Sequence, residues 1–446
     1  MAIARDRAVV CGASMAGLLA ARVLSDFYES VTIVERDVLP ETVTQRRGVP
    51  QGRHLHQLLR PGSTAIEEFF PGVFDELVAA GAHVIDDPSL GYVGVGRHVL
   101  TQNGPFAKPQ ELLAYSVSRP LLEARVRERV RALPNVTFSE GYDVVDLILD
   151  RSDRVTAVRV VNRADGQQRE LATDVVVDAT GRSARTPAFL RAHGYEGPAE
   201  LRYAVDLTYA SQWLRIPDGA LAESVVVAAP TLERPTGAGL LAYEDGATVL
   251  TLIGVAGRRL PSDLPGLLRS VAEFLPGRIV DAVRAAEPVG DVVVQHYPAS
   301  VWRRYDKLRR FPHGLLVIGD AVCSLNPVYG QGMSSAALQA KALRRCLAEG
   351  DRDDMGPRYF RAAAKKLAPL WQANRLNDFA LAPTTGWRTV PQRLFNWYTD
   401  KLAAAAADDI VLAEAFMRMV NLVDPPAKLL TPSMSMRVVT GNLRRG

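Results

Sequence analysis

Asp320 stands at the end of an apolar run, Leu315-Leu316-Val317-Ile318-Gly319, and is followed by Asn326-Pro327-Val328-Tyr329-Gly330-Gln331-Gly332-Met333-Ser334. A carboxylate at a strand end accepts hydrogen bonds from sugar hydroxyls. A glycine-rich turn that opens a helix lets backbone N–H groups approach an electron-rich ligand. The N-terminus holds a matching pattern. The strand Ala8-Val9-Val10-Cys11 runs into Gly12-Ala13-Ser14-Met15-Ala16-Gly17, then into the helical stretch Leu18–Leu24, and a second strand, Val31–Val34, ends on Glu35. This spacing is the dinucleotide fingerprint. The first glycine makes the turn, the last lets helix and strand pack closely, and the acid reaches a ribose diol. Ser14 replaces the middle glycine, where its hydroxyl can donate to a phosphate.

The rest of the chain must bring these two turns together. Its 446 residues suffice for two or three domains, and 48% hydrophobic with 23% charged residues is the balance of a globular protein. A net charge of +4 without a long basic run argues against nucleic acid. The pairs Arg46-Arg47, Arg303-Arg304 and Arg309-Arg310 read as solvated loops or phosphate contacts. Cys11, Cys323 and Cys346 have no metal or disulfide spacing. They suit a reducing cytoplasm, and Cys11 reads as a small buried hydrophobe. No segment has the uninterrupted apolar length of an integral membrane span.

Along the chain, a loop over 41–60 leads into one helix that ends near Ala80. Short strands follow over 83–110. Ser118-Arg119-Pro120 starts a helix with Leu121, Leu122, Ala124, Val126 and Val130 on its apolar face and Arg125, Arg127, Glu128, Arg129 and Arg131 outward. Strands at Val136–Phe138, Val144–Leu149, Val155–Val161 and Arg169–Leu171 read as a meander. Asp174–Asp178 is a buried strand entering a turn, Ala179-Thr180-Gly181. Residues 200–300 read as β-rich, with strands at Tyr203–Tyr209, Ser224–Ala229, Gly239–Tyr243, Thr248–Val255 and Val292–Tyr297, Glu244-Asp245-Gly246 as a hairpin turn and Gly237-Ala238-Gly239 as a turn. Residues 351–446 read as helices rich in alanine and aromatics, among them Trp371, Trp387, Phe395, Trp397 and Tyr398.

The two turns together with Asp178-Ala179-Thr180-Gly181-Arg182 make the chain resemble the FAD-dependent monooxygenases of the aromatic-hydroxylase (group A flavoprotein) superfamily, over about residues 5–350. In Gly48-Val49-Pro50-Gln51-Gly52-Arg53-His54-Leu55-His56 and in the Gly319–Ser334 stretch it looks most like bacterial epoxidases of polyketide and polyether pathways, hence secondary metabolism. The resemblance implies an α/β fold, α+β overall. A discontinuous Rossmann-like FAD-binding domain (1–82, 111–195 and 305–350) is expected beside a β-sheet substrate domain (83–110 and 196–304) and a helical C-terminal region (351–446). It implies FAD as cofactor. Gly12, Ser14, Met15, Ala16 and Gly17 would lie at the pyrophosphate and Glu35 at the adenosine ribose, with Arg36, Gln51 and Val144 also near the nucleotide. Arg53 and Arg119 would reach phosphate or ribityl oxygens. Asp178, Gly181, Gly319 and Asp320 would line the middle of the cofactor, and Pro327, Gly330, Gly332 and Met333 its ring.

In such enzymes NAD(P)H reduces the flavin, dioxygen adds to give a C4a-hydroperoxyflavin, and an electron-rich alkene or arene takes the oxygen. A separate flavin reductase can replace NAD(P)H as partner, and no second nucleotide fingerprint is present. The protein positions substrate and excludes water, so no side-chain catalyst is obligatory. His54, His56 and Tyr329 are the candidates. Their i, i+2 spacing places the histidines on opposite sides of an extended segment, so at most one faces the pocket. A His-x-His metal site lacks further ligands, and none is expected. Tyr203, Tyr209, Trp213, Tyr243, Tyr297 and, foremost, Tyr329 are candidate walls of a pocket for a bulky lipophilic polyene, polyketide, terpenoid or aromatic. The C-terminal helices are expected to cap it. A halogenase would share the scaffold. However, the first lysine is Lys108, and Trp213-Leu214-Arg215-Ile216-Pro217 lacks the second tryptophan of the halogenase motif. The alternative is a geranylgeranyl-reductase-like enzyme that reduces prenyl double bonds.

Overall fold

The computed structural model describes residues 5–46, 48–86, 91–223, 225–350, 354–381 and 390–445. Arg47, Ser224 and Trp387 lie outside the described residues, as does the side chain of Phe395.

Valine- and isoleucine-rich runs that are apolar on both faces make a parallel sheet covered on both sides. Its strands lie in the order Leu315–Val317, Val175–Asp178, Arg5–Cys11, Tyr28–Glu35, Val136–Glu140. Cys11 pairs with Val34 on one side and with Asp178 on the other, and Asp178 pairs with Val317. The carboxyl ends of these strands are therefore level, and Gly12, Ala179 and Gly319 leave from one edge. The chain adds strands to one side of Arg5–Cys11 and later to the other, so this edge holds the switch point where α/β folds bind ligands.

The helix Met15–Leu24, buried through Leu18, Leu19, Val23 and Leu24, packs against the helix Gly332–Ala348. That helix also contacts Arg60–Phe69 and the long helix Met355–Leu381. The stretch expected as one helix to Ala80 is two, Arg60–Phe69 and Val73–Ala79, because Pro71-Gly72 breaks it. The expected four-stranded meander also divides. Val136–Glu140 joins the parallel sheet, and Tyr142–Leu149, Val155–Asn162 and Gln168–Ala172 form a separate antiparallel sheet.

A second large sheet has eight strands in the order Cys323–Ser324, Glu287–Arg303, Glu200–Arg215, Ala247–Gly254, Thr236–Ala242, Val225–Ala228, Tyr92–Val95, His98–Val99. Gly237-Ala238-Gly239 lies inside one of its strands and not in a turn. A Cβ at Gly239 would come within 2.8 Å of Leu55 Cδ1, so the missing side chains let the 50–59 loop lie on the sheet. Residues 200–300 also contain two helices, Leu264–Ala272 and Gly277–Arg284, which the strand reading missed. Asp263 caps the first by accepting from Gly266 N at 2.6 Å. Leu267, Val271, Ile279 and Val283 bury against Ala210, Leu214, Leu250 and Leu252 of the sheet.

The long helix Met355–Leu381 packs on the main core through Tyr359, Phe360, Leu367 and Trp371. The helices Val390–Ala406, Ile410–Val420 and Pro432–Leu443 form their own cluster with Leu100, Phe106 and Leu112. Among the described residues no helix is long and apolar enough to cross a membrane.

Candidate cofactor and substrate site

At the first turn Gly12 has φ +105°, and a Cβ there would stand 2.8 Å from Ala179 O. A Cβ at Gly17 would stand 1.8 Å from Gly12 O, so no other residue fits this turn undisturbed. Ser14 is the N-cap of the Met15–Leu24 helix, but its side chain makes no capping bond. Its hydroxyl donates to Glu123 Oε2 at 3.2 Å and accepts from Arg119 Nη2 at 2.9 Å. The first-turn N–H groups of Met15, Ala16 and Gly17 thus receive no side-chain cap, which leaves an anion-receptive helix end.

Behind this turn lies a buried ion cluster. Glu123, only 4% exposed, meets Arg46 Nε at 2.9 Å, Arg119 Nη2 at 3.2 Å and Arg127 Nη1 at 3.9 Å. Glu35 accepts from Ala13 N at 2.7 Å and Asp37 N at 3.0 Å, with Arg46 Nη1 at 3.8 Å. Arg46, expected in a solvated loop or on a phosphate, and Arg127, expected outward, are both buried here. Three guanidiniums against two carboxylates keep the cluster net positive, which suits a phosphate neighbour. Glu123 is a residue the sequence reading passed over. Its signal was the Arg119–Glu123–Arg127 spacing of four on one helix face. Beyond Glu35 an open cleft of about 700 Å³ is lined by Arg36, Asp37, Arg46, Glu140, Asn162 and Arg163.

The distal motif meets this turn directly. Gly319 has φ +72°, and a Cβ on it would lie 2.7 Å from Ala16 Cβ. Next to it Asp320 is half-buried. Burial raises its carboxyl above the ordinary range, against the pull of Arg182 and Arg119. Asp178 is turned inward. Its carboxylate accepts from Thr180 N at 3.0 Å, from Thr180 Oγ1 at 2.6 Å and from Thr186 Oγ1, so it shapes its own turn ahead of Gly181. The helix Gly332–Ala348 has no side-chain N-cap, and no atom lies within 4 Å of where a Gly332 Cβ would be. Met333 is buried beneath it.

The loop before that helix is held from the C-terminal region. Asp378, 7% exposed and in the last turn of Met355–Leu381, accepts on Oδ1 from Asn326 Nδ2 at 2.6 Å and Tyr329 OH at 2.8 Å. One helical turn earlier, Asn374 Nδ2 donates to Gln331 Oε1 at 2.7 Å. Neither Asn374 nor Asp378 was singled out from the sequence. Two polar residues four apart on an otherwise apolar helix face were the available sign. Gly330, φ +64°, sits under Pro327, which is exposed.

On the large-sheet side, His54 Nδ1 lies 2.8 Å from Ser211 Oγ, and its ring centroid is 5.7 Å from that of Tyr209. His56 stacks on Tyr243 at 5.6 Å. Burial lowers both histidines to about 4, so both are neutral at neutral pH. Tyr243 is a strut. Its hydroxyl donates to His56 O at 2.8 Å and accepts from His56 N at 3.1 Å. Tyr297 donates to Leu325 O at 2.8 Å, under Arg182 at 4.1 Å from its ring. Gln51 and Arg53 are exposed, and Val144 packs on the main core from the antiparallel sheet. None of these three makes a described side-chain bond to either turn. Among the described residues no group of three His, Cys, Asp or Glu side chains could hold a metal ion.

No family model matches the chain. It is 41% identical over 455 residues to Protein Rv3254 of Mycobacterium tuberculosis, covering 99% of this chain and 94% of that protein. It is 27% identical over 373 residues to kynurenine 3-monooxygenase of Salinispora arenicola, covering 77% of this chain and 72% of the other. Among solved structures it resembles p-nitrophenol 4-monooxygenase PnpA of Pseudomonas putida DLL-E4 (TM-score 0.65, 16% identity, 94% and 98% covered). It also resembles the flavin-dependent brominase Bmp2 (TM-score 0.64, 14% identity, 100% of both chains). The fold is that of the group A flavoprotein monooxygenases and halogenases.

Proposed function

We propose that this chain, which belongs to the same family as Protein Rv3254 of Mycobacterium tuberculosis, is an FAD-dependent monooxygenase that uses NAD(P)H and dioxygen to epoxidise or hydroxylate a bulky, largely lipophilic substrate. One observation carries the reading. The uncapped N-terminus of Met15–Leu24 lies where Gly319 meets Ala16, half-buried Asp320 adjoins that contact, and the helix Gly332–Ala348, which packs on Met15–Leu24, also begins without a side-chain cap. That arrangement fits an elongated ligand with an anionic middle and an electron-rich ring.

Bound there, FAD supplies the activation of dioxygen with electrons from NAD(P)H. The chain's own groups bind and orient. The N–H groups of Met15–Gly17 and the hydroxyl of Ser14, with Arg119, take the pyrophosphate. Glu35 takes the adenosine ribose with the lone pairs that Ala13 and Asp37 leave. Asp320 accepts from ribityl hydroxyls. Gly332 and Met333 offer N–H groups to the ring edge, where the helix end favours negative charge. The loop 50–59, tied down by Tyr243, closes the space from the sheet side and keeps water out. Neutral His54 and His56 orient neighbours and do not carry charge. The three buried free cysteines suit a reducing compartment, so we place the protein in the cytoplasm.

Halogenation would share this scaffold. Lys108, the first lysine, is 59% exposed and paired with Glu111 at 3.3 Å, which does not favour it.

The test is a screen of lipophilic alkenes and phenols against the FAD-loaded protein. Substrate-stimulated NAD(P)H oxidation with a product heavier by one oxygen atom supports the reading. Saturated products, formed without oxygen incorporation, overturn it.

A further inference from the structure

The segment 53–56 lies on the large sheet without joining it as a strand, and side chains of the sheet bond it instead. Trp213 Nε1 donates to Arg53 O at 3.1 Å, Leu55 N donates to Thr251 Oγ1 at 3.0 Å, and Tyr243 OH bonds both N and O of His56. Ser211 and Thr251 stand opposite each other on the strands Glu200–Arg215 and Ala247–Gly254, and their hydroxyl oxygens are 2.6 Å apart. Ser211 Oγ also lies 2.8 Å from His54 Nδ1. A closed ring results. It leaves the segment at Leu55 N, passes through Thr251 and Ser211, and returns at His54 Nδ1.

The protons in this ring can be counted. Burial, with the charge of Arg53, lowers His54 to about 4, so its imidazole carries a single N–H at neutral pH. Ser211 and Thr251 are buried, and neither hydroxyl has another described side-chain bond. The contacts Thr251–Ser211 and Ser211–His54 hold one proton each. With the His54 proton on Nδ1, three protons compete for two contacts, and one buried hydroxyl proton has no acceptor. With that proton on Nε2, the two hydroxyl protons fill the two contacts and none is left over. The donations then run one way, from Leu55 N–H to Thr251, from Thr251 to Ser211 and from Ser211 to His54 Nδ1. Each bond of such a chain polarises the next. An orphaned buried proton costs more than a made bond returns. Nε2 is buried without a hydrogen bond in either arrangement, so it does not bias the choice.

We infer that Ser211 and Thr251 are positioning residues that lock His54 in its Nε2–H form, with the Nδ1 lone pair spent on the Ser211 hydroxyl. His54 is then a hydrogen-bond donor and not a base, because neither of its nitrogens has a lone pair to offer. The lock itself stands on the hydrogen bonds alone. Its consequence for the chemistry rests on the functional reading above, which puts the 50–59 loop against the site. A substrate proton that has to be removed there, such as that of a phenol, is taken by a group other than His54.

The test is nitrogen NMR of the FAD-loaded protein with labelled histidine rings, at about pH 7.5, well above the titration of a buried neutral imidazole. The His54 signals are those lost in His54→Gln. The wild type is expected to show one fixed form, with a proton directly bonded to Nε2 and with Nδ1 unprotonated and shifted by an incoming hydrogen bond. In Ser211→Ala, Nδ1 should move to the position of a free lone pair, while Tyr243 and Trp213 still hold the segment. Thr251→Val should speed hydrogen exchange at Leu55 N–H by roughly fivefold, the scale of one hydrogen bond, and Thr251→Ser should leave it as in the wild type. A proton on Nδ1, shifts averaged between the two forms, an Nδ1 signal unmoved in Ser211→Ala, or unchanged Leu55 exchange in Thr251→Val overturns the inference. FAD uptake, read by absorbance beforehand, is the separate check on the functional reading. A chain that refuses FAD yet shows the fixed Nε2–H form sinks that reading and leaves the lock standing.

Discussion

Around the first turn, Glu35 and Glu123 each face a guanidinium, and Arg46, Arg119 and Arg127 each face a carboxylate. At the other end, Asp378 has no cation and is met by the neutral donors Asn326, Tyr329 and Tyr203, while the hydroxyl of Tyr209 is buried without a hydrogen bond. The first region pairs its charges internally, although Arg46 Nε and Nη1 are buried in ion pairs without a hydrogen bond. The second holds unspent hydrogen-bonding capacity at a cost to the fold.

The contrast breaks most visibly at Glu123. Glu123→Ala leaves three guanidiniums crowded without their shared carboxylate, and urea unfolding should show a loss of about 3–5 kcal/mol. A loss under 1 kcal/mol would mean that the cluster is not a structural frame. Acid separates the ends next. His54 and His56 ordinarily titrate near 6.5 but are held at about 4 by burial. Between those values the unfolded chain takes protons that the folded chain refuses. Stability should therefore fall as pH drops through that window, by on the order of 3 kcal/mol for each histidine, and level off below it. His54→Gln should flatten part of that fall. Asp320→Ala sharpens the comparison differently. FAD affinity should drop by at least about tenfold, while thermal stability holds or rises, because a desolvated carboxylate has been removed. Full FAD stoichiometry in that variant at limiting cofactor would remove Asp320 from the site. Tyr243→Phe should have the smallest effect. Losing the two bonds to His56 costs about 1–2 kcal/mol and should speed hydrogen exchange in the 50–59 loop.

Much of this frame was legible in the residues. Gly12 and Gly17 are demanded by backbone oxygens, and Gly319 by Ala16 Cβ, that lie closer than a side chain permits, so their types and spacing announced the two turns. The apolar strands Val31–Val34 and Leu315–Val317 announced the parallel sheet, and level strand ends followed from it. Local pattern could not reveal what depends on distant partners. Arg127 read as outward and Glu123 was passed over because the groups that cover the helix face there, Arg46 against Glu123 and Pro40 O against Arg127, come from another part of the chain. Asp378 lies 49 residues from Tyr329 in sequence, and nothing near it announces that the tyrosine of the glycine-rich loop is its donor. The helices Leu264–Ala272 and Gly277–Arg284 were hidden among strands because the sheet they cover supplies most of their stabilisation.

The most direct test of the account is a crystal structure of the chain with FAD. It should place the pyrophosphate at the N-terminus of Met15–Leu24, a ribityl hydroxyl on Asp320 and the flavin ring against Gly332 and Met333. A dinucleotide found elsewhere, or one whose two halves do not reach both turns, would contradict it.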